Sequence, residues 1–278
     1  MSDNPKDSWE ENKSGLALFF EEHPEVVRAL DEAGSDSLNG ADLAAKSALY
    51  QSRGLFKEAA ELFRDAWRKC YPAEYIRAFE AELDFIAGEL AGCPGPVTDI
   101  ASGRGMLVEK LLEKTGAPIT ATDISQSVLM SHLGARFPEE VKSGRLTLTP
   151  CDAGALPFPD GSLPAVTTCL GLQNIPGPER AVRELRRACG GKLYALCMFF
   201  PDDDRENQEA AARLGLEGAY SKKELIGLLE RCGWRVSCHE GPANKLPPTP
   251  VGVVVPGAGF DALPVAETEA RFVTMVCE

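Results

Sequence analysis

The stretch Val97–Leu112, "VTDIASGRGMLVEKLL", decides the fold. Val97–Ile100 is a short apolar run interrupted by an acid, Asp99. Gly103 and Gly105 follow, and Met106, Leu107, Leu111 and Leu112 then recur at helical spacing. This reads as a buried strand, a tight turn and a helix start. Glycines let a ligand approach the backbone, and a helix N-terminus presents free N–H groups, so the turn suits a nucleotide-like ligand.

Downstream, the same strand-then-helix grammar continues. Strands are expected at Val97–Ile100, Ile119–Thr122, Leu146–Pro150, Ala165–Leu170 and Lys192–Phe200. Helical patterns fall at Leu107–Lys114, Ser125–Phe137, Pro178–Ala188 and Lys222–Cys232. Two late strands follow near Trp234–His239 and Arg271–Cys277, and the proline- and glycine-rich segment between them reads as loops around one short strand. Such alternation specifies a doubly wound α/β fold with a mostly parallel sheet.

Upstream, the chain reads as helical. Pro24 starts one helix and Gly34 stops it, and a second ends at Gly54. Leu55, Phe56, Ala59, Leu62, Phe63, Ala66 and Trp67 form the apolar stripe of a third. After Pro72, a fourth carries Ile76, Phe79, Leu83, Ile86 and Leu90. The expected division is an N-terminal helical cap over residues 1–92 and a ligand-binding domain over 93–278.

Composition narrows the function classes. The 278-residue chain is 44% hydrophobic, enough for a sizeable core, and carries a formal charge of −13. That balance argues against nucleic acid or an anionic membrane surface as the main partner, since phosphate binding needs a basic footprint. The nine cysteines form no C-x-x-C pair, and the three histidines lack zinc-type spacing, so reduced thiols and no metal site are expected. The acidic start "MSDNPKDSWEENK" has no signal-peptide core, and no apolar run reaches membrane-spanning length. A cytoplasmic protein without membrane insertion is the expectation.

Ligands bind outside the carboxyl ends of strands in such sheets. Asp99, Asp123 and Asp152 all fall there. A nicotinamide dinucleotide is one reading of the Gly103–Gly105 turn with Asp123 on the ribose, but the third glycine of that fingerprint would be Val108. Three acids suit a ligand with hydroxyls, an exocyclic amine and a positive centre. They would repel a pyrophosphate.

At these residues the sequence resembles the class I S-adenosylmethionine-dependent methyltransferases, over roughly Tyr71 to Glu278. "DIASGRG" is similar to that family's first motif, with Ala101 standing where a glycine is usual. "GLQNI" is similar to the "G-L-R-N-V" stretch of quinone-ring C-methyltransferases, with Gln173 in place of arginine. The resemblance implies a seven-stranded Rossmann-like methyltransferase fold and S-adenosylmethionine as cofactor. It further implies that the turn Ala101–Gly105, through Gly103 and Gly105, admits the cofactor to the backbone, with Asp99 near the methionine amino group. Asp123 would take the ribose hydroxyls and Asp152 the adenine amine. Ile124 and Ala153 would pack on the ring, with Cys169 and Leu170 near the sulfonium.

No catalytic base is assigned. Tyr71, Tyr75, Gln173 and Asn174 are candidate contacts for a small organic acceptor. The N-terminal helices, with Phe19, Phe20, Phe56, Phe63 and Trp67, read as the acceptor-side cap, against a flanking role or a homodimer contact. A nicotinamide-dependent oxidoreductase and a non-catalytic cofactor-binding protein are the alternative functions.

Overall fold

A computed structural model describes residues 18–93 and 95–278. The acidic stretch 1–13 lies outside the described residues. The chain divides into two compact units, one of residues up to Pro72 together with Pro248–Ala262, the other of Ala73–Pro247 together with Leu263–Glu278.

The helical unit contains α1 (Pro24–Glu32), α2 (Gly40–Ser52) and α3 (Phe56–Cys70). Pro24 opens α1, and the Asn39 side chain caps α2 by accepting from the Asp42 N–H at 2.8 Å. Helices α2 and α3 approach closely because the contact is made of small groups. A Cβ on Gly40 would lie 2.2 Å from Cys70 Sγ, and Ser47 Oγ donates to the Ala59 carbonyl at 2.6 Å. On the apolar stripe of α3, Ala59 and Ala66 are fully buried, whereas Phe56, Leu62, Phe63 and Trp67 are only half-buried.

The 248–262 segment joins this unit through an acid. Buried Asp42 accepts from the backbone N–H groups of Val253, Val254 and Val255 at 3.0, 2.9 and 2.9 Å. Phe63 stacks on Phe260 with centroids 5.0 Å apart, and the Tyr71 hydroxyl donates to Asp261.

The second unit holds the sheet. It opens with α4 (Ala73–Leu90), then β1 (Val97–Asp99), α5 (Met106–Lys114), β2 (Ile119–Asp123), α6 (Gln126–Leu129), α7 (Pro138–Lys142) and β3 (Leu146–Pro150). There follow β4 (Leu163–Cys169), α8 (Glu179–Ala188), β5 (Cys189–Phe199), α9 (Arg205–Arg213), α10 (Lys222–Arg231), β6 (Val236–Leu246) and β7 (Thr268–Cys277). The seven strands lie in the order β3-β2-β1-β4-β5-β7-β6. β1 to β5 run parallel, and β7 inserts antiparallel between β5 and β6.

The core on one face joins Val166, Leu193, Ala195 and Val273 of the sheet to Val182, Leu185, Leu229 and Trp234. Elsewhere in this unit Phe272 of β7 meets Tyr75 and Phe79 of α4, with centroids 4.6 and 5.1 Å apart.

Three details differ from the sequence expectation. Helix α4, expected with the N-terminal helices, belongs to the sheet unit because its buried residues Tyr75, Phe79, Leu83 and Ile86 include those that pack against β7. The helix expected over Ser125–Phe137 is only one α-turn, followed by a wider turn over Met130–Gly134. Strand β6 runs past His239 to Leu246, absorbing Gly241 and Pro242 at a register shift between Glu240 and Ala243.

Candidate functional site

Strand order fixes where a ligand can sit. From β1 the chain proceeds to β2 and β3 on one side and returns to β4 and β5 on the other. The loops after β1 and β4 therefore diverge and leave a crevice at the carboxyl ends of the strands. Asp99 closes β1, Asp123 closes β2, Asp152 follows β3 and Cys169 closes β4. The sequence-predicted cofactor residues thus converge on one edge.

The turn after β1 is laced to both neighbours. Ile100 N–H donates to the Thr167 carbonyl at 2.8 Å, and Ser102 N–H to the Thr122 carbonyl at 2.7 Å. Ala101 is held at φ 53° and Leu170, after β4, at φ 58°. Such backbone costs a non-glycine residue on the order of 1 kcal/mol and persists where its surroundings enforce it. The two strained positions meet through Gly171, whose Cβ would lie 2.9 Å from Ala101 Cβ. Gly105, at φ 76°, starts α5, and a Cβ there would strike Leu133 Cδ2 at 2.2 Å. A Cβ on Gly103 would meet nothing within 4 Å, so its turn presents open backbone.

Asp123 is the hinge of this edge. Oδ2 accepts from Gly103 N–H at 2.9 Å and Oδ1 from Ser125 N–H at 3.0 Å. Ser125, not Asp123, caps α6, its Oγ accepting from Val128 N–H at 3.3 Å. Each carboxylate oxygen accepts more than one hydrogen bond, so capacity for two hydroxyls remains. The next residue, Ile124, leaves 57% of its surface exposed and offers an apolar face beside the acid.

Asp99 is buried, and its Oδ1 accepts from Thr167 Oγ1 at 2.6 Å. Burial pushes its carboxyl up to about 6; the Thr167 and Ser102 hydrogen bonds oppose this, and the nearby Asp123 charge adds to it. Burial likewise pushes the Cys169 thiol well above its ordinary range, helped by the charge of Asp99, so it stays protonated. Asp152 Oδ1 accepts from Gly154 N–H at 2.8 Å and Oδ2 from Arg180 at 2.6 Å. Half-buried Ala153 packs against the core between them. Arg180 carries no motif signal in the sequence.

The acceptor candidates are each held in a different way. Gln173 is 1% exposed; Nε2 donates to the Met198 and Ala219 carbonyls at 2.6 and 2.8 Å, and Oε1 accepts from Met198 N–H at 2.6 Å. It clamps its own loop to strand β5 and to the loop before α10, with both donors engaged by backbone. Asn174 is exposed and donates to the Leu170 carbonyl at 2.9 Å, steadying the strained residue. Tyr75 is buried against Phe272, and Tyr71 belongs to the helical unit with its hydroxyl on Asp261. Among the described residues, no group of three or more His, Cys, Asp or Glu side chains could hold a metal ion, and no helix is long and apolar enough to cross a membrane.

Comparison with known proteins identifies the domain that carries this edge. Residues 98–195 match the model of a methyltransferase domain. The chain is similar to the demethylmenaquinone methyltransferase of Thermus thermophilus, 36% identical over 38% of this chain and 49% of that protein. It is also similar to the ubiquinone/menaquinone biosynthesis C-methyltransferase of Rhizobium johnstonii, 35% identical over 36% of this chain and 40% of that protein. The matched part thus spans about half or less of these curated relatives.

Among solved structures, the YcgJ protein of Bacillus subtilis superposes with a TM-score of 0.52 at 14% identity, covering 71% of this chain and 98% of that one. A putative methyltransferase of Bacillus halodurans gives 0.52 at 16%, over 71% and 98%. These two share the fold. The open Gly103 backbone, the Asp123 carboxylate and the exposed Ile124 fit an adenosyl cofactor. Residues 98–195 therefore form a methyltransferase domain, similar to part of these two quinone-biosynthesis methyltransferases.

Proposed function

We propose that this chain is a methyltransferase that moves a methyl group from S-adenosylmethionine to a small organic acceptor. The observation that carries the reading is the convergence of Asp99, Asp123 and Asp152 beside an open glycine turn at the sheet's point of reversal. Asp123 accepts from the ribose hydroxyls, already oriented by Gly103 and Ser125. Asp152 accepts from the adenine amine, with Ile124 and Ala153 against the ring. Asp99 balances the methionine ammonium, and the Ala101–Gly105 turn and Cys169–Leu170 line the remainder. Bound S-adenosylmethionine supplies an electrophilic methyl on a positively charged sulfur. The protein's own contribution is to hold the reactants in line, which accounts for much of the barrier lowering in two-reactant steps.

The acceptor class follows the names of the relatives only in outline, a small ring compound. Gln173 departs from the arginine of the resembled stretch, and its buried amide adds no charge to the site. A cytoplasmic location belongs to the same reading.

The deciding experiment is thermal denaturation with candidate cofactors. S-adenosylmethionine and its demethylated product should raise Tm, while NAD and NADP should not. Stabilisation by NAD at equal concentration would replace the reading with the oxidoreductase.

We assign the helical unit to acceptor turnover and not to cofactor affinity. Asp42 ties 248–262 into that unit, so both pieces are removed together, leaving Ala73–Glu278 with a short glycine–serine bridge. Once folding is verified by circular dichroism, cofactor affinity should stay within a few-fold and methyl transfer should be lost. Normal turnover would return the acceptor site to the loops after β4 and β5.

A further inference from the structure

We infer that Arg180 is a positioning residue for cofactor recognition, holding the Asp152 carboxylate in the orientation that accepts the adenine amine. The inference rests on the adenine role proposed above for Asp152. A lone aspartate in a loop turns freely about two side-chain bonds and must be ordered when a ligand binds. Here the ordering is built in. Gly154 N–H holds Oδ1 at 2.8 Å, and an Arg180 terminal nitrogen holds Oδ2 at 2.6 Å. Arg180 Nε in turn donates to the Gly154 carbonyl at 2.7 Å, so the guanidinium grips the carboxylate and the turn that carries it.

The grip has a fixed base and a matched partner. Arg180 sits in the first turn of α8, which is seated in the core by Val182 and Leu185. A Cβ on Gly154 would lie 2.3 Å from Arg180 Nε, so only glycine lets the guanidinium lie down on the turn. Two of the carboxylate's acceptor positions are taken, and at least one on each oxygen remains for a ligand donor. Stability does not explain the arrangement. The side chains are 66% and 38% exposed, and exposed pairs add little to folding.

The test is calorimetric titration with S-adenosylhomocysteine, which lacks the sulfonium charge, and with its analogue carrying hydrogen in place of the adenine amine. Arg180→Ala should weaken S-adenosylhomocysteine about two- to tenfold, the scale of ordering one side chain. It should change the analogue less than twofold, and Tm should hold. Gly154→Ala, which displaces the guanidinium without removing it, should give the same selective loss. Asp152→Ala should abolish the preference for the amine, and adding Arg180→Ala to it should cost nothing further.

Equal losses for both ligands, no loss, or tighter binding by Arg180→Ala would overturn the inference while leaving Asp152 in place. A preference for the amine that survives Asp152→Ala would overturn the adenine assignment itself, and the inference with it.

Discussion

Two buried carboxylates of the sheet unit, Glu82 and Asp99, are each 1% exposed and serve opposite ends. Glu82 lies on α4. His239 Nδ1 stands 3.0 and 3.1 Å from its two oxygens, and Thr274 Oγ1 donates to Oε2 at 2.7 Å. The His239 ring also stacks on Phe85 with centroids 3.9 Å apart. Both oxygens are thus covered by donors from β6 and β7, and the acid bolts the helix to two strands. Asp99 takes a bond from Thr167 across the strand pair and another from Ser102, and burial still raises its carboxyl to about 6. An acid enclosed between a helix and two strands is structural; an acid at the carboxyl end of a strand, beside the open Gly103 turn, is placed where a ligand can reach it.

Removing Glu82 tests the structural half and should give the largest loss of stability. Glu82→Ala leaves the buried Thr274 hydroxyl without its acceptor and releases the exposed His239 ring to water, at a cost of about 1–3 kcal/mol. Urea denaturation should show the lower midpoint, with affinity for S-adenosylhomocysteine unchanged in the protein that remains folded. A parallel loss of affinity would show that the two acids are not separate in function.

Asp123 tests the ligand half. Asp123→Ala removes charge-assisted hydrogen bonds of about 1.5–3 kcal/mol each. Binding of S-adenosylhomocysteine should fall roughly tenfold to hundredfold. Unchanged affinity would reduce Asp123 to a brace for the Gly103 turn.

Asp99 sharpens the comparison through pH. Its folded value of about 6 lies above the ordinary 3.8, so the folded state holds the proton more tightly. That contribution is fully present below about pH 4 and is lost as pH rises through 6. Asp99→Asn has no such proton. Its stability relative to the parent should therefore climb between pH 4 and pH 7, by on the order of 2–3 kcal/mol. Parallel stability curves for the two proteins would mean that Asp99 titrates normally.

Much of the strand edge that carries Asp99, Asp123 and Asp152 was legible because its signals are local. A change of hydrophobic period, a glycine pair and an acid at each strand end mark β1, β2 and β3 within a few residues. What was not legible depends on distant partners. Gln173 bonds to Met198 and Ala219, 25 and 46 residues away, so a loop amide reads equally as ligand contact or clamp. The stripe of α4 shows that it is buried but not against what. β6 hides its second half behind Gly241-Pro242, which read as loop punctuation and fall at the register shift. The place of 248–262 is set by Asp42, more than two hundred residues earlier.

The smallest effect separates two roles carried by neighbouring residues. Asp123 is read as a ribose acceptor, and the cap of the next helix stands two residues later. The structure divides the work, with Ser125 Oγ on Val128 N–H at 3.3 Å and the Asp123 carboxylate turned to Gly103 and to Ser125 N–H. Ser125→Ala removes the cap and an exposed hydroxyl contact with Ser127, and α6 is a single turn, so the cost should be about 0.5–1 kcal/mol. Affinity for S-adenosylhomocysteine should stay within about twofold, because the Ser125 N–H that orients Asp123 is backbone and survives the substitution. Together with Asp123→Ala this gives a contrast in binding, one variant keeping the ligand and the other losing it. If Ser125→Ala loses the ligand as strongly as Asp123→Ala, the short helix and the carboxylate act as one unit, and the division between capping and binding fails.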